Sequence, residues 1–288
     1  MAQQLFQRVV KLTIAPPIAG TFRTQPTQSA MVVRDLRVRF KISKSLRKEP
    51  NNSTIEVYNL NSVSRGQLQG KGARVWLEAG YGTTLAQAFV GDVRYIDHIK
   101  EDADWVSKFE LGDGERAYIH GRVNKSFKAG TTKADILKEL AKQSGWDLGN
   151  ITDFYASLGQ KALSGYVAWG NANREIDRLL RSQGLTFSVQ DGAIQILPLT
   201  GYIPAAAVLI DEDHGMVGSP EAGTAPRKGK ARSLRVKCLM DPDKVRLKPG
   251  QRVSVQSVAH KGVYTIQKMS LDGDTHADDW YCNLEVQA

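Results

Sequence analysis

Residues 272–280 read "DGDTHADDW". Asp272, Asp274, His276, Asp278 and Asp279 there form the densest group of potential metal ligands in the chain. Closely spaced carboxylates of this kind could cradle a calcium ion, or join a histidine around a transition metal. The calcium-loop pattern wants acids at positions 1 and 3, Asp or Asn at 5, Gly at 6 and Glu at 12. Counted from Asp272, the first two are met, but His276, Ala277 and Asn283 occupy the other three. A structural zinc site prefers Cys and His at regular spacing, which this stretch lacks. Hairpin loops gather Asp and Gly because both tolerate turn geometry. The stretch therefore reads as a polar loop between two strands, with no metal and no cofactor expected.

Other chemistry is equally poorly supported. "GQLQGKG" places three residues between Gly66 and Gly70 where a phosphate loop needs four, and Gly72 stands where its Ser or Thr would bind magnesium. His98, His120, His214, His260 and His276 are scattered, and no G-x-S-x-G elbow occurs. A non-enzymatic role is the expectation, with a hydrolase using surface carboxylates ranked last.

Positive charge is the stronger signal. The 288-residue chain carries a formal net charge of +9, which permits an acidic partner. Arg34, Arg37, Arg39, Lys41, Lys44, Arg47 and Lys48 crowd one stretch with the single acid Asp35. Arg227, Lys228, Lys230, Arg232, Arg235 and Lys237 crowd another with none. Such clusters could follow a phosphate backbone or meet an acidic protein surface. Single-strand binders interleave aromatics for base stacking. Only Phe40 lies within these clusters, and it falls on the apolar face of its strand. A protein or solvent partner is favoured over sequence reading.

These residues are carried by short β elements. "RDLRVRFKIS" alternates, with Leu36, Val38, Phe40 and Ile42 on one face and Arg37, Arg39 and Lys41 on the other. "STIEVYNL", "ARVWLEAGYG" and "QAFVGDVRYIDHIKEDADWVSKFELGDG" supply further strands, and "NSVSRGQLQG" a short helical turn capped by Asn61 or Ser62 and closed by Gly70. The character changes near residue 120. "TTKADILKELAKQSG" reads as a helix with Thr132 as N-cap, Asp135 three residues on, an apolar stripe of Ile136, Leu137, Leu140 and Ala141, and Gly145 as stop. "NREIDRLLRSQG" is a second helix, ending at Gly184. Asp191-Gly192 between alternating apolar residues is a hairpin signal. Strands return in "SLRVKCLM", "KPGQRVSVQS", "GVYTIQKMSLDGD" and "DDWYCNLEVQA". The last two make a closing pair joined by 272–280, with Trp280 anchoring the final strand. Residues 218–231, "GSPEAGTAPRKGKA", read as a loop. Cys238 and Cys282 sit in apolar strands and read as reduced core thiols. The start "MAQQLFQRVV" lacks the apolar core of a secretory leader, and no run approaches the roughly 18 apolar residues of a membrane span.

The order of the pieces is informative. "EVYNLN" leads to "VWLEAGYG", "FVGDVRYID" and "FELGDG". An inserted α/β module follows, and then "GMVGSPE", "LKPGQRVSVQS" and "GVYTIQKMSLDGDTHADDWYCNLEV". This order resembles the baseplate hub proteins of tailed bacteriophages, the family that includes the tube-like base of type VI secretion and contractile-particle spikes. The chain resembles the family's minimal form. The resemblance implies a mainly β fold with an α+β insertion: two tube-type antiparallel β-barrels at 1–118 and 201–288, flanking a small α/β module at 119–200. It further implies a homotrimeric ring that adapts a sixfold tail tube to a threefold spike. Tail-tube protein, spike protein and tape-measure protein would be its neighbours, with DNA in transient, non-specific contact in the channel and no membrane insertion. The location implied is the virion tail baseplate, reached from the host cytoplasm during assembly. On that reading Arg37, Arg39, Lys41, Arg227, Lys228, Lys230 and Arg232 are candidates to line the channel or an interface. Asp272, Asp274, Asp278 and Asp279 form an acidic interface loop, with the basic stretch 227–237 as its partner across a subunit boundary. The alternative is a single-stranded nucleic-acid-binding module built on OB-like barrels.

Overall fold

A computed structural model describes residues 7–15, 30–68, 73–161, 164–223 and 233–288. The first β half comprises β1 (Arg8–Ala15), β2 (Met31–Val33), β3 (Val38–Ser45), β4 (Asn52–Tyr58), the short helix α1 (Ser62–Gln67), β5 (Arg74–Tyr81), β6 (Thr84–Glu101) and β7 (Asp104–Gly112). A mixed module follows, of α2 (Glu115–His120), β8 (Arg122–Phe127), α3 (Lys133–Ser144), β9 (Asp147–Leu148), α4 (Tyr155–Leu158), β10 (Tyr166–Asn171), α5 (Ala172–Arg181), β11 (Leu185–Gln190) and β12 (Ala193–Pro198). The second β half holds β13 (Val208–Ile210), β14 (Glu221–Ala222), β15 (Ser233–Leu239), α6 (Pro242–Val245), β16 (Arg252–Gln256), β17 (Lys261–Asp274) and β18 (Trp280–Gln287). The fold is thus mainly β with a small α/β region. Among the described residues, no helix is long and apolar enough to cross a membrane.

The two β halves are fused. β3 pairs antiparallel with β17, from Ser45 opposite Lys268 to Arg39 opposite Asp274, and the described strands of both halves form one thirteen-stranded sheet. β17 changes neighbour along one edge: Lys261–Thr265 pair with β16, and from Lys268 onward the strand pairs with β3. The irregularity between Ile266 and Lys268 marks the handover, since an extra residue bends a strand and re-aims its pairing. One apolar core, running from Val10 to Val286, draws on both halves. Trp280, fully buried, is its hinge-pin. Phe40 of β3 and Tyr81 of β5 meet the indole edge-on, with ring centroids 5.9 and 6.0 Å away, the arrangement that aromatic quadrupoles favour. Its Nε1–H donates to the Met240 carbonyl at 2.9 Å.

The module has a core of its own. α3 and α5 pack Ile136, Leu137, Leu140, Ile176, Leu179 and Leu180 onto Phe187, Val189, Ile194 and Ile196 of the β11–β12 hairpin. Thr132 caps α3 by accepting from the Asp135 N–H at 3.1 Å, and Gly145 closes it at φ 84°. α1 takes Asn61 as its cap, whereas Gly70, expected to close it, lies outside the described residues. α5 begins one residue before the expected segment, capped by Asn171. Asp191 and Gly192 have φ of 57° and 77°, as a two-residue type I′ hairpin requires.

Candidate functional site

β17 extends to Asp274, so only residues 275–279 loop before Trp280. Asp272 and Asp274 are strand residues on the same face, opposite Lys41 and Arg39 of β3. Gly273 between them, opposite Phe40, is not a turn glycine. A Cβ there would drive into the Phe40 ring and come within 3.0 Å of the Met240 methyl. The missing side chain lets the ring lie over the strand, the usual meaning of a glycine inside a sheet.

The acids differ in burial and in partners. Asp274 is buried, 2% exposed, and receives a two-pronged contact from Arg37, with Nη2 to Oδ2 at 2.7 Å and Nε to Oδ1 at 3.1 Å. The His276 N–H adds 2.9 Å. Burial pushes the Asp274 carboxyl up, but the hydrogen bonds from Arg37 and His276 outweigh it and hold the group below the ordinary carboxylate range. Arg37 in turn stacks on Tyr58, 4.5 Å from the ring centroid. Asp272 accepts from Ser270 Oγ at 2.9 Å and Asn283 Nδ2 at 2.7 Å. Asp278 and Asp279 are exposed at the loop tip. The five potential ligands of the opening stretch are therefore dispersed, and among the described residues no three His, Cys, Asp or Glu side chains converge on a metal-sized centre. Asp274, expected in an interface loop, is occupied within its own chain.

Arg39, Lys41, Asp272 and Asp279 share one surface. Alternation along β3 buries Val38, Phe40 and Ile42 and exposes Arg39 and Lys41. β17, β18 and β15 present Lys268, Ser270, Asp272, Tyr281, Asn283, Arg235 and Lys237 on this same polar side, where two hollows of about 380 and 600 Å³ open. Arg39 is 3.7 Å from Glu56, and Arg235 is 3.9 Å from Glu285. The Lys237 ammonium sits over Tyr281, 3.7 Å from the ring centroid. Among the described residues no carboxylate lies within ion-pair distance of Lys41 or Lys268. This is a broad, mixed-charge face with hydroxyls and amides. It suits many weak polar contacts with a polymer or a neighbouring subunit better than tight capture of a small molecule. Lys237, Asp272 and Asp279 line the same hollow in one chain. Arg227, Lys228, Lys230 and Arg232 lie outside the described residues.

A second polar cluster escaped the sequence reading. Lys44 continues the apolar phase of β3 and is 1% exposed. Its Nζ lies 2.9 Å from both carboxylate oxygens of Asp191. Asp113, fully buried, accepts from the backbone N–H of Asp191 at 3.0 Å and of Gly192 at 2.6 Å. The Lys248 ammonium lies 3.4 Å from Asp191. Burial and the charge of Asp191 push the Asp113 carboxyl up to about 7. Burial also works against ionised Asp191, but Lys44 and Lys248 overcome it and hold that group below its ordinary value. The signal available in the sequence was Lys44 itself, a lysine in register with the buried face of its strand.

No protein-family model matches the chain, and no curated protein matches it in sequence. Solved structures do match in fold. The 43 kDa tail protein of prophage MuSo2 from Shewanella oneidensis aligns with TM-score 0.62 and 9% identity, over 97% of this chain and 98% of that one. A tail protein from Neisseria meningitidis MC58 aligns with TM-score 0.63 and 11% identity, over 98% and 97%. An Escherichia coli type VI secretion component, described as structurally similar to the T4 bacteriophage tail proteins gp27 and gp5, aligns with TM-score 0.53 and 9% identity, over 88% and 73%.

Proposed function

We propose that this chain, whose fold is that of phage tail proteins, is a structural tail component: a baseplate hub in its minimal form. The observation that carries the reading is the match over nearly the full length of both chains to two tail proteins. In this reading three copies close a ring, each contributing two tube-like β units, 1–118 and 201–288, with 119–200 inserted between them. Six similar edges from three chains meet a sixfold tail tube on one side and a threefold spike on the other. Closing a ring also covers sheet edges that would otherwise invite aggregation. The polar face bearing Arg39 and Lys41 lines the channel and meets DNA and the end of the tape-measure protein through weak, non-specific contacts. Arg37, tied to Asp274, serves that wall structurally. Asp278 and Asp279 face a neighbouring subunit. The protein acts in the virion tail after assembly in the host cytoplasm, and it has no catalytic role. Mass measurement by light scattering on the purified chain, with and without tail-tube or spike protein, tests this. A trimer, alone or on adding a partner, supports the ring. A persistent monomer that binds single-stranded DNA with a steep salt dependence would replace the hub with a nucleic-acid module.

A further inference from the structure

The module and the β body have separate apolar cores that share no residue. What joins them around the β11–β12 hairpin is polar. Gln190 Nε2 donates to the Ser45 carbonyl at 2.7 Å, and Gln195 Nε2 to the Pro249 carbonyl at 2.5 Å, while the side-chain carbonyl of each glutamine is buried without a partner. Between these contacts lie Lys44 of β3, Asp113 just beyond β7, Asp191 in the hairpin turn and Lys248 ahead of β16. All three parts of the chain therefore meet at one ionic cluster. Both lysines face Asp191, whereas Asp113 is held by backbone N–H groups alone. Two buried carboxylates this close disfavour full ionisation unless countercharge is adequate.

We propose that this cluster is an ionisable latch: the charge state of the Asp113–Asp191 pair sets how firmly the α/β module is held on the β body, with Lys44 and Lys248 as countercharge. The direction follows from linkage. Asp113 titrates higher in the docked state than when released, so its contribution is fully present below the ordinary carboxylate value. It is lost as pH rises through about 7. Asp191 titrates lower when docked, so its contribution is present above the ordinary value and is lost as pH falls through the depressed one. The latch is tightest in mild acid and loosens toward alkaline pH. The other charges at the seam leave this sign unchanged. Arg74, against the Gly192 backbone, is paired with Asp92 at 4.0 Å. Glu115 is engaged by Arg94, and Lys48 pairs with Asp177 at 2.5 Å on the rim. Gly114, at φ 63° directly after Asp113, is a backbone joint at the module's entry.

Hydrogen exchange on the full chain between pH 5.5 and 8.5, corrected for intrinsic exchange rates, tests the latch. Protection of the 185–198 hairpin should fall by about tenfold or more, while 234–240 in the β body stays constant. Asp113→Asn should flatten the dependence. Lys248→Gln, a change at a partly exposed side chain that spares the cores, should move the midpoint to higher pH. Hairpin protection independent of pH in the unaltered chain would overturn the proposal. So would an unmoved midpoint in Lys248→Gln, or an undiminished pH dependence in Asp113→Asn.

Discussion

Arg37, just ahead of β3, and Lys44, within it, meet opposite fates. Arg37 keeps its guanidinium partly in solvent, 37% exposed, and reaches back to Asp274, whose side chain is 3% exposed. Lys44 loses nearly all its water and lies 2.9 Å from the Asp191 carboxylate. The planar fork of arginine suits a two-oxygen contact at a boundary. Arg37→Gln should leave Asp274 with its backbone donors alone and cost about 1–3 kcal/mol in urea unfolding at neutral pH. Asp274 titrates below its unfolded value, so the pair's contribution is present above that value and is lost as pH falls through the depressed one. The difference between wild type and Arg37→Gln should therefore close in strong acid. A difference that persists unchanged there would mean that Arg37 acts through its stacking on Tyr58.

At the scale of the element, β17 shows how one strand serves three neighbours. Its N-terminal part pairs with β16, its C-terminal part with β3, and its other edge with β18. Gly273 is what allows the β3 pairing beneath Phe40. Gly273→Ala should overpack that contact and cost about 1–3 kcal/mol, read as a lower melting temperature with the far module's own unfolding signal little changed. An unaffected melt would show that Phe40 can swing aside freely. β18 is fastened by Trp280, and β17 pairs with both β18 and β3 beneath the polar face.

At the scale of the whole molecule, the shared core makes the two β halves a single body, and the α/β module is the separable part. The exposed pair at the tip of the β17–β18 loop belongs to this scale. The double change Asp278→Lys and Asp279→Lys should leave the monomer's stability within about 0.5 kcal/mol, as surface changes usually do. It should weaken assembly with copies or tail partners in sedimentation or light scattering. Unchanged assembly would remove that loop from the interface.

Local signals in the chain were enough for the mainly β class, for the capped helix from Thr132 to Gly145, for the Asp191-Gly192 turn, and for the exposure of Arg39 and Lys41. Each of these depends on neighbours a few residues away, through capping, backbone φ or period-two alternation. The fusion of the two halves through β3 and β17 was not legible, because strand pairing across more than two hundred residues leaves no local mark. Composition alone makes "DGD" a turn, because it does not distinguish a glycine that frees the backbone from one that clears space for Phe40. The acids of the opening stretch looked like one group in sequence. Their fates were decided in three dimensions, where Asp274 lies buried within reach of Arg37, Asp272 bonds Ser270 and Asn283, and Asp278 and Asp279 stay exposed in the loop. The cluster of Lys44, Asp113, Asp191 and Lys248 is tertiary altogether, assembled from three parts of the chain, with Lys44, Asp113 and the Asp191 carboxylate buried and Lys248 partly exposed at its edge.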